Sequence, residues 1–395
     1  MPLDPLKVTE TISKSYTRYL TTAFRLRDKK LQALFHQEVE KFWFINGPIL
    51  EATPPFKNGC YLKDLSDEGI LENDVHKLTS PNYIEKNSLR EQRNPLYTLR
   101  DKALHLHQEK ALRKILNGRN VVIASGTSSG KTECFLLPAY NHLLNEYKEG
   151  NLGPGIRALL LYPMNALAND QLRRLREIAR VIEKEMPNVR ITFGRYVGDT
   201  PETKKQGEEK FRLTNPGEEP VKSELLSREE MRENPPHILI TNYAMLEYLL
   251  LRPKDSSFFD GEYAKHWKFL ILDEAHVYNG ANGIEMGMLI RRLKDRVCGG
   301  RKGVLQCIAT SATLVKGEDD FGKVAEFATN LFEEKFEWVP EDDSRQDIIK
   351  GEKIETQSAE KIFQLPLQLY PSLYKIIRNF TDPSLIIECC YDICK

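Results

Sequence analysis

The chain has 395 residues, 41% hydrophobic and 29% charged, enough for two or three structural units around a sizeable core. Lys plus Arg equals Asp plus Glu at 57 each, so no global basic field advertises a polyanionic partner, and any nucleic-acid contact must come from local patches. No run approaches the ~18 apolar residues of a membrane span, so no membrane partner is expected.

Residues 1–94 read as a mainly helical accessory region. Ile12, Tyr16, Tyr19 and Ala23 recur at helical spacing after Thr9, a cap candidate. A second helical stretch, about Lys29 to Phe44, carries Leu31, Leu34, Phe35, Val39 and Phe42 on one side. Pro48, Pro54, Pro55 and Gly59 then break the pattern. The aromatic group Phe42-Trp43-Phe44 is expected to fill a helical interior rather than to stack on bases.

From about residue 95 the rhythm changes to alternating strands and helices. Strands are expected at 120–124, 157–162, 189–196, 237–241, 268–272 and 304–309. Helices are expected at 104–117, 131–148, 165–186, 284–297 and 321–333. Such alternation implies an α/β fold with a parallel sheet covered by helices on both faces.

The first strand runs into Ser125-Gly126-Thr127-Ser128-Ser129-Gly130-Lys131-Thr132, followed by a helical pattern. A strand, a small-residue turn and a helix start make a phosphate cradle. Backbone N–H groups face the anion, Lys131 adds charge, and Thr132 can ligate Mg²⁺. The usual pattern begins with Gly, where this chain has Ser125.

Between Gly198 and Pro236 the chain is polar and rich in Glu, Lys and Pro, and is read as a long surface excursion. Farther on, the strand at 268–272 runs directly into Asp273-Glu274-Ala275-His276. Adjacent carboxylates there suit a nucleotide site: one holds Mg²⁺ through its water shell, while the other orients or deprotonates the attacking water. Ser311-Ala312-Thr313 follows the last apolar run. All three motifs sit where strands of an open parallel sheet end, the place where such sheets bind ligands.

Seven cysteines (60, 134, 298, 307, 389, 390 and 394) stand at irregular spacing without a Cys-x-x-Cys pair. Cys134 and Cys307 fall in apolar patterns and are read as packed thiols, and a zinc role for the last three is the weaker reading. Free thiols and the absence of an apolar leader at Met1–Asp4 suit a cytoplasmic protein.

With these motifs in order, residues 95–335 resemble the superfamily 2 helicases of the DEAD/DEAH type. Asp273-Glu274-Ala275-His276 reproduces that group's name motif. Ser125–Thr132 resembles its motif I, and Ser311-Ala312-Thr313 its motif III. Leu104-His105-Leu106-His107-Gln108 resembles the adenine-sensing element, which makes Gln108 the candidate reader of the base. Tyr162–Gln171 resembles motif Ia and Thr241–Leu246 motif Ib, both closest to the Lhr- and MrfA-type DNA helicases.

The resemblance implies a RecA-like ATP-binding domain at 95–335, using ATP and Mg²⁺. In it Lys131 contacts the β- and γ-phosphates, Thr132 and Asp273 hold the metal, and Glu274 positions water. His276, Ser311 and Thr313 couple the nucleotide to the rest of the domain. Pro163, Met164, Asn165, Thr241 and Asn242 contact a nucleic-acid backbone, with DNA the expected partner. Gly198-Asp199-Thr200 resembles a further backbone-contacting loop. Arg173 and Arg176, three apart, either face the strand or lie on a solvated helix face.

Such helicases need a second RecA-like domain carrying arginines that reach the γ-phosphate. No Gln-x-x-Gly-Arg-x-Gly-Arg sequence follows Thr313, and residues 336–395 read as a linker and helical lead-in to that domain. The chain is therefore expected to be one part of a longer or split helicase that binds ATP weakly and barely hydrolyses it alone. DNA repair and anti-phage defence are the settings the resemblance implies. The alternative is a non-unwinding, ATP-dependent nucleic-acid clamp or regulatory scaffold. A metabolic kinase leaves the spacing of the acidic and Ser-Ala-Thr motifs unexplained.

Overall fold

Short apolar runs become fully buried strands, and longer stretches with apolar residues three and four apart become helices. The computed structural model describes residues 5–41, 54–80, 94–126, 129–315, 317 and 320–354. The chain divides into two compact units at Pro55.

The first unit contains α1 (Pro5–Ala23) and α2 (Lys29–Lys41), which pack on each other. Asp28 caps α2, accepting from the N–H groups of Lys30 and Leu31 at 2.8 and 3.0 Å. The apolar stripes of these two helices are largely open. Ile12, Tyr16, Tyr19, Leu31 and Leu34 are exposed, and Val39 is buried. Two helices cover only part of each other's surface, so much of an apolar stripe stays open. Phe42-Trp43-Phe44 lies outside the described residues.

The second unit, in chain order, is α3 (Leu62–Asp67), α4 (Leu106–Leu116), β1 (Val121–Ala124), α5 (Lys131–Lys148), β2 (Ala158–Tyr162) and α6 (Asn165–Glu185). There follow β3 (Phe193–Arg195), α7 (Lys204–Thr214), β4 (Glu224–Leu225), α8 (Arg228–Glu233), β5 (Ile238–Asn242) and α9 (Tyr243–Leu251). β6 (Phe269–Leu272), α10 (Gly280–Cys298), β7 (Gln306–Ser311), α11 (Phe321–Phe332) and β8 (Ile348–Lys350) complete it. The eight strands form one sheet in the order β4-β3-β5-β2-β6-β7-β1-β8, every neighbouring pair parallel.

Alternate residues of each strand feed opposite faces. Val121, Ile123, Leu160, Ile240, Ile271 and Ile308 pack with residues of α4, α5 and α6. Val122, Leu159, Leu161, Leu239, Leu270, Leu272 and Cys307 pack with residues of α9, α10 and α11. Each such side chain contributes about 1.5–3 kcal/mol on burial. This is the expected parallel sheet between two helical layers.

Three features depart from the sequence reading. Leu62, Leu65, Leu71, Val75 and Leu78 share a core with β1, α4 and α5, so the expected boundary at 94/95 falls inside the second unit. Beyond the expected boundary at 335/336, β8 adds a strand beside β1, Ile348 and Ile349 both buried. The stretch 198–236 carries α7, β4 and α8, and it buries Phe211, Ser223, Glu224, Ser227 and Met231. Its polar composition hid these elements because the buried apolar residues Phe211, Val221, Leu225 and Met231 are scattered singly, and Glu224 is buried in an ion pair with Arg176. Residues 355–395 of the expected linker and helical lead-in, with Cys389, Cys390 and Cys394, lie outside the described residues.

Cys134 and Cys307 are buried as packed thiols. Among the described residues no group of three His, Cys, Asp or Glu could hold a metal alone, and no helix is long and apolar enough to cross a membrane.

Candidate nucleotide site at the ends of the strands

Because the strands are parallel, the loops after β1, β2, β5, β6 and β7 open on one edge of the sheet. The order β6-β7-β1 sets Ser311, at the end of β7, between the acidic loop and the phosphate loop. The Ser125 N–H donates to the Ser311 carbonyl at 3.1 Å, continuing the β1–β7 ladder into the loop.

Ser125 is buried, and its hydroxyl lies 2.6 Å from that of Ser129, closing the turn across its base. The departure from glycine thus supplies a bond within the loop. Gly126 is exposed, and Thr127 and Ser128 lie outside the described residues. Gly130 holds φ at 76°, the left-handed region, and caps α5 directly before Lys131 and Thr132.

The Lys131 ammonium is buried and has no hydrogen-bond partner, its nearest carboxylate being Glu274 at 3.6 Å. A buried cation without donors satisfied is costly, so this geometry suits an anionic ligand. Asp273 begins where β6 ends. Its N–H donates to the Leu161 carbonyl at 3.1 Å, while its carboxylate accepts from the Thr310 hydroxyl and from the Glu274 N–H at 3.1 Å. Burial pushes the Asp273 carboxyl above its ordinary range, against the Thr310 bond and the Lys131 charge, which lower it.

Glu274 sits at φ 51°, an uncommon conformation for a non-glycine residue. His276 Nδ1 lies 3.3 Å from Glu274 Oε2 and 3.2 Å from Ser311 Oγ. Ser311 Oγ accepts from the N–H groups of Thr313 and Leu314 at 3.2 and 3.3 Å, whereas Thr313 itself is exposed. The structure thus brings together Lys131, Asp273, Glu274, His276 and Ser311.

Gln108 is 3% exposed on α4, with its amide directed at the phosphate loop. The five candidate nucleic-acid residues lie at the ends of β2 and β5. Met164 and Asn165 are exposed, Pro163 is half-buried, and the Asn242 amide donates to Asn165 Oδ1 at 2.8 Å. Thr241 is different: it is fully buried, its hydroxyl donating to the Tyr196 carbonyl at 2.6 Å. Asp199 of the neighbouring loop pairs with Arg195 and Lys210. Arg176 is buried on Glu224, and Arg173 is exposed beside Asp170.

Sequence reasoning missed several residues here. Thr310 holds Asp273, and only its place one residue before the Ser-Ala-Thr motif hints at that. His107 contacts the Ser129 carbonyl at 2.9 Å, and Arg174 of α6 donates to Glu133, one residue past Thr132, at 2.6 Å. Phe56 packs on the rings of His105 and His107, and a Cβ at Gly351 would stand 2.8 Å from Ser125. The last two contacts span about 50 and 225 residues, and no local signal announces them.

A candidate phosphate loop, an acidic pair and a buried serine on neighbouring parallel strands define a P-loop nucleotide-binding domain. Residues 105–321 match the DEAD/DEAH box helicase family, and the chain belongs to that family. Druantia protein DruE of Escherichia coli is 32% identical over 397 residues, covering 78% of this chain and 20% of that protein. The ATP-dependent helicase Lhr-Core of Methanocaldococcus jannaschii is 30% identical over 193 residues, covering 47% of this chain and 19% of its own length. The chain therefore spans about a fifth of these relatives. Its fold is similar to that of the DEAD-box helicase Mss116, solved with ssRNA and UDP-BeF, with a TM-score of 0.50 and 18% identity over 76% of this chain and 47% of that one.

Proposed function

We propose that this chain is the nucleotide-binding half of an ATP-dependent DNA helicase or translocase, completed by a second RecA-like domain. The observation that carries the nucleotide assignment is the buried Lys131 ammonium, without a hydrogen-bond partner and 3.6 Å from the acidic pair. Phosphate oxygens supply the charge-assisted acceptors it lacks.

In this reading the backbone N–H groups of Gly126–Gly130 line the phosphates, and Thr132 and Asp273 hold Mg²⁺. The metal, when bound, neutralises charge on the phosphate oxygens. Glu274 orients the attacking water and accepts its proton. His276 ties that carboxylate to Ser311, so a change at the nucleotide is felt on β7. Pro163, Met164, Asn165 and Asn242 offer backbone and amide donors to sugar and phosphate, which position a strand without reading its sequence. Thr241 contributes by fixing the carbonyl of Tyr196 rather than by touching the strand.

DNA, rather than RNA, is supported by the resemblance of 162–171 and 241–246 to the Lhr and MrfA groups. That resemblance extends the proposal to DNA repair or anti-phage defence. Titrating a fluorescent ATP analogue into the parent chain and into Lys131→Ala tests the core of it. Binding by the parent and loss in the variant is expected. Equal retention by both overturns the assignment.

A further inference from the structure

The polar stretch after β3 opens with a tight turn and later comes back to brace it. Val197–Thr200 form a four-residue turn, closed by the Thr200 N–H on the Val197 carbonyl at 3.1 Å. Gly198 and Asp199, its two middle residues, are exposed, and neither N–H has a hydrogen-bond partner among the described residues. The carbonyls around them are all engaged. Thr200 Oγ1 donates to that of Arg195 at 2.9 Å, Thr241 Oγ1 to that of Tyr196 at 2.6 Å, and Lys210 Nζ to that of Asp199 at 2.5 Å. Arg228, the first residue of α8, donates from one guanidinium nitrogen to the Val197 and Gly198 carbonyls at 3.2 and 2.9 Å.

The bond to Gly198 decides which way the middle peptide of the turn points. Such turns have two common forms related by a flip of that peptide, and the second form sets the third residue at positive φ. Asp199 is not at positive φ, so the turn is in the first form. In a planar trans peptide the C=O and the following N–H point in opposite directions. With both carbonyls drawn toward α8, the N–H groups of Gly198 and Asp199 point away from it.

We propose that Arg228 is a positioning residue of the nucleic-acid site, holding these two amides so that they donate to a phosphate of the bound strand. This deepens the strand reading above and rests on it. The sheet order β3-β5-β2 puts the turn on the same edge as Asn242 and Pro163–Asn165. Two outward amides whose carbonyls are turned away make a concavity suited to an anion. The neighbouring cations are already engaged, Lys210 and Arg195 lying on the Asp199 carboxylate at 2.7 and 3.2 Å.

Arg228 is placed to hold the turn rather than to touch the strand. Its side chain is 16% exposed, its Nε is buried, and its guanidinium lies 5.3 Å over the Tyr196 ring. That ring is fixed in turn. The Tyr196 hydroxyl donates to the buried Asp255 carboxylate at 2.6 Å, and Arg232 of α8 donates to the same oxygen at 2.7 Å. The segment between β3 and β5 thus returns, 30 residues after Gly198, to lock the turn with which it began.

A fluorescein-labelled oligo-dT strand, titrated into the full chain over a range of salt, tests this. Arg228→Met keeps the stem on the Tyr196 ring and removes the donors. It is expected to weaken oligo-dT about five- to tenfold, near the worth of one lost hydrogen bond. The slope of log K against log salt stays at the parent value, because the donors lost to the strand are uncharged. Affinity for Mg-ATP stays at the parent value too. Gly198→Pro suits the second position of such a turn, where a Cβ meets nothing within 4 Å, and removes one of the two amides. It is expected to weaken oligo-dT in the same way. Should Arg228→Met not fold, Arg228→Lys, one atom shorter with its charge kept, takes its place with a smaller loss.

Parent-like oligo-dT binding by the Arg228 variant, or by Gly198→Pro, overturns the proposal. So does a slope reduced by about 0.7, which makes Arg228 itself a phosphate contact. An equal loss of Mg-ATP overturns it as well, because Arg228 is then a general structural residue. A parent chain that binds no oligo-dT sinks the strand reading itself, and the brace with it.

Discussion

Ser311 Oγ lies 3.2 Å from His276 Nδ1 and also accepts the N–H groups of Thr313 and Leu314, so one hydroxyl joins the acidic loop to the turn after β7. Ser311 is itself fully buried. Ser311→Ala leaves two amides and an imidazole without this partner. It is expected to cost about 0.5–1.5 kcal/mol of stability, the usual net worth of a hydrogen bond between partly exposed groups. Hydrogen exchange at Thr313 and Leu314 should speed up more than exchange in β1, which reports only the global loss. Unchanged exchange at both amides contradicts this role.

Lys131→Met separates stability from binding. The parent buries an ammonium without a hydrogen bond, and methionine keeps its length without its charge. The melting temperature of the nucleotide-free variant is expected at or above that of the parent. Its affinity for Mg-ATP should fall about ten- to hundredfold, the worth of a charge-assisted bond. Differential scanning fluorimetry with and without nucleotide reads both effects. A variant less stable than the parent shows that Lys131 has a structural role.

Glu224 pins the 198–236 segment to α6. It accepts two bonds from Arg176, at 2.6 and 2.8 Å, and the guanidinium also lies 4.7 Å over the Phe211 ring. Glu224→Ala leaves a buried guanidinium uncompensated, which costs about 3–5 kcal/mol. Urea unfolding and faster proteolysis within 198–236 should report it, and Arg176→Met combined with Glu224→Leu should recover part of the loss. Wild-type protease resistance in Glu224→Ala argues against the pin.

His237 makes the second unit sensitive to acid. Its Nδ1 accepts the Thr192 N–H at 2.9 Å, its Nε2 donates to the Gly153 carbonyl at 3.1 Å, and burial, aided by the Arg157 charge, lowers it to about 4. The native ring is thus neutral where the unfolded ring, at its ordinary 6.5, takes up a proton. The unfolded state binds more protons between these values, so stability is present above 6.5 and is lost as pH falls toward 4. His237→Gln should flatten the dependence by up to ~1.4 kcal/mol per pH unit in that window. Denaturant melts from pH 7 to 4 check it, and an unchanged slope rules out this source.

Much of the site was legible in sequence because its parts are local. Each of Ser125–Thr132, Asp273–His276 and Ser311–Thr313 follows its strand directly, and parallel pairing alone carries them to one edge. Thr241 shows the limit of such reading. It ends an apolar run, yet strand alternation turns its hydroxyl inward to Tyr196 instead of toward a nucleic acid. Arg176 shows a second limit, since its partner is 48 residues away on a strand of two residues.

The sequence by itself determined where the candidate phosphate loop follows its strand and the alternation of strands and helices, because each depends on neighbours a few residues apart. Only the tertiary structure decided that β7 lies between the acidic loop and the candidate phosphate loop, that β8 and residues 62–78 join the domain, and that the Gln108 amide bonds the Gly130 carbonyl. Those outcomes rest on contacts between distant segments. Their energies depend on which surfaces meet when the sheet and its helices close, and a linear pattern does not carry that information.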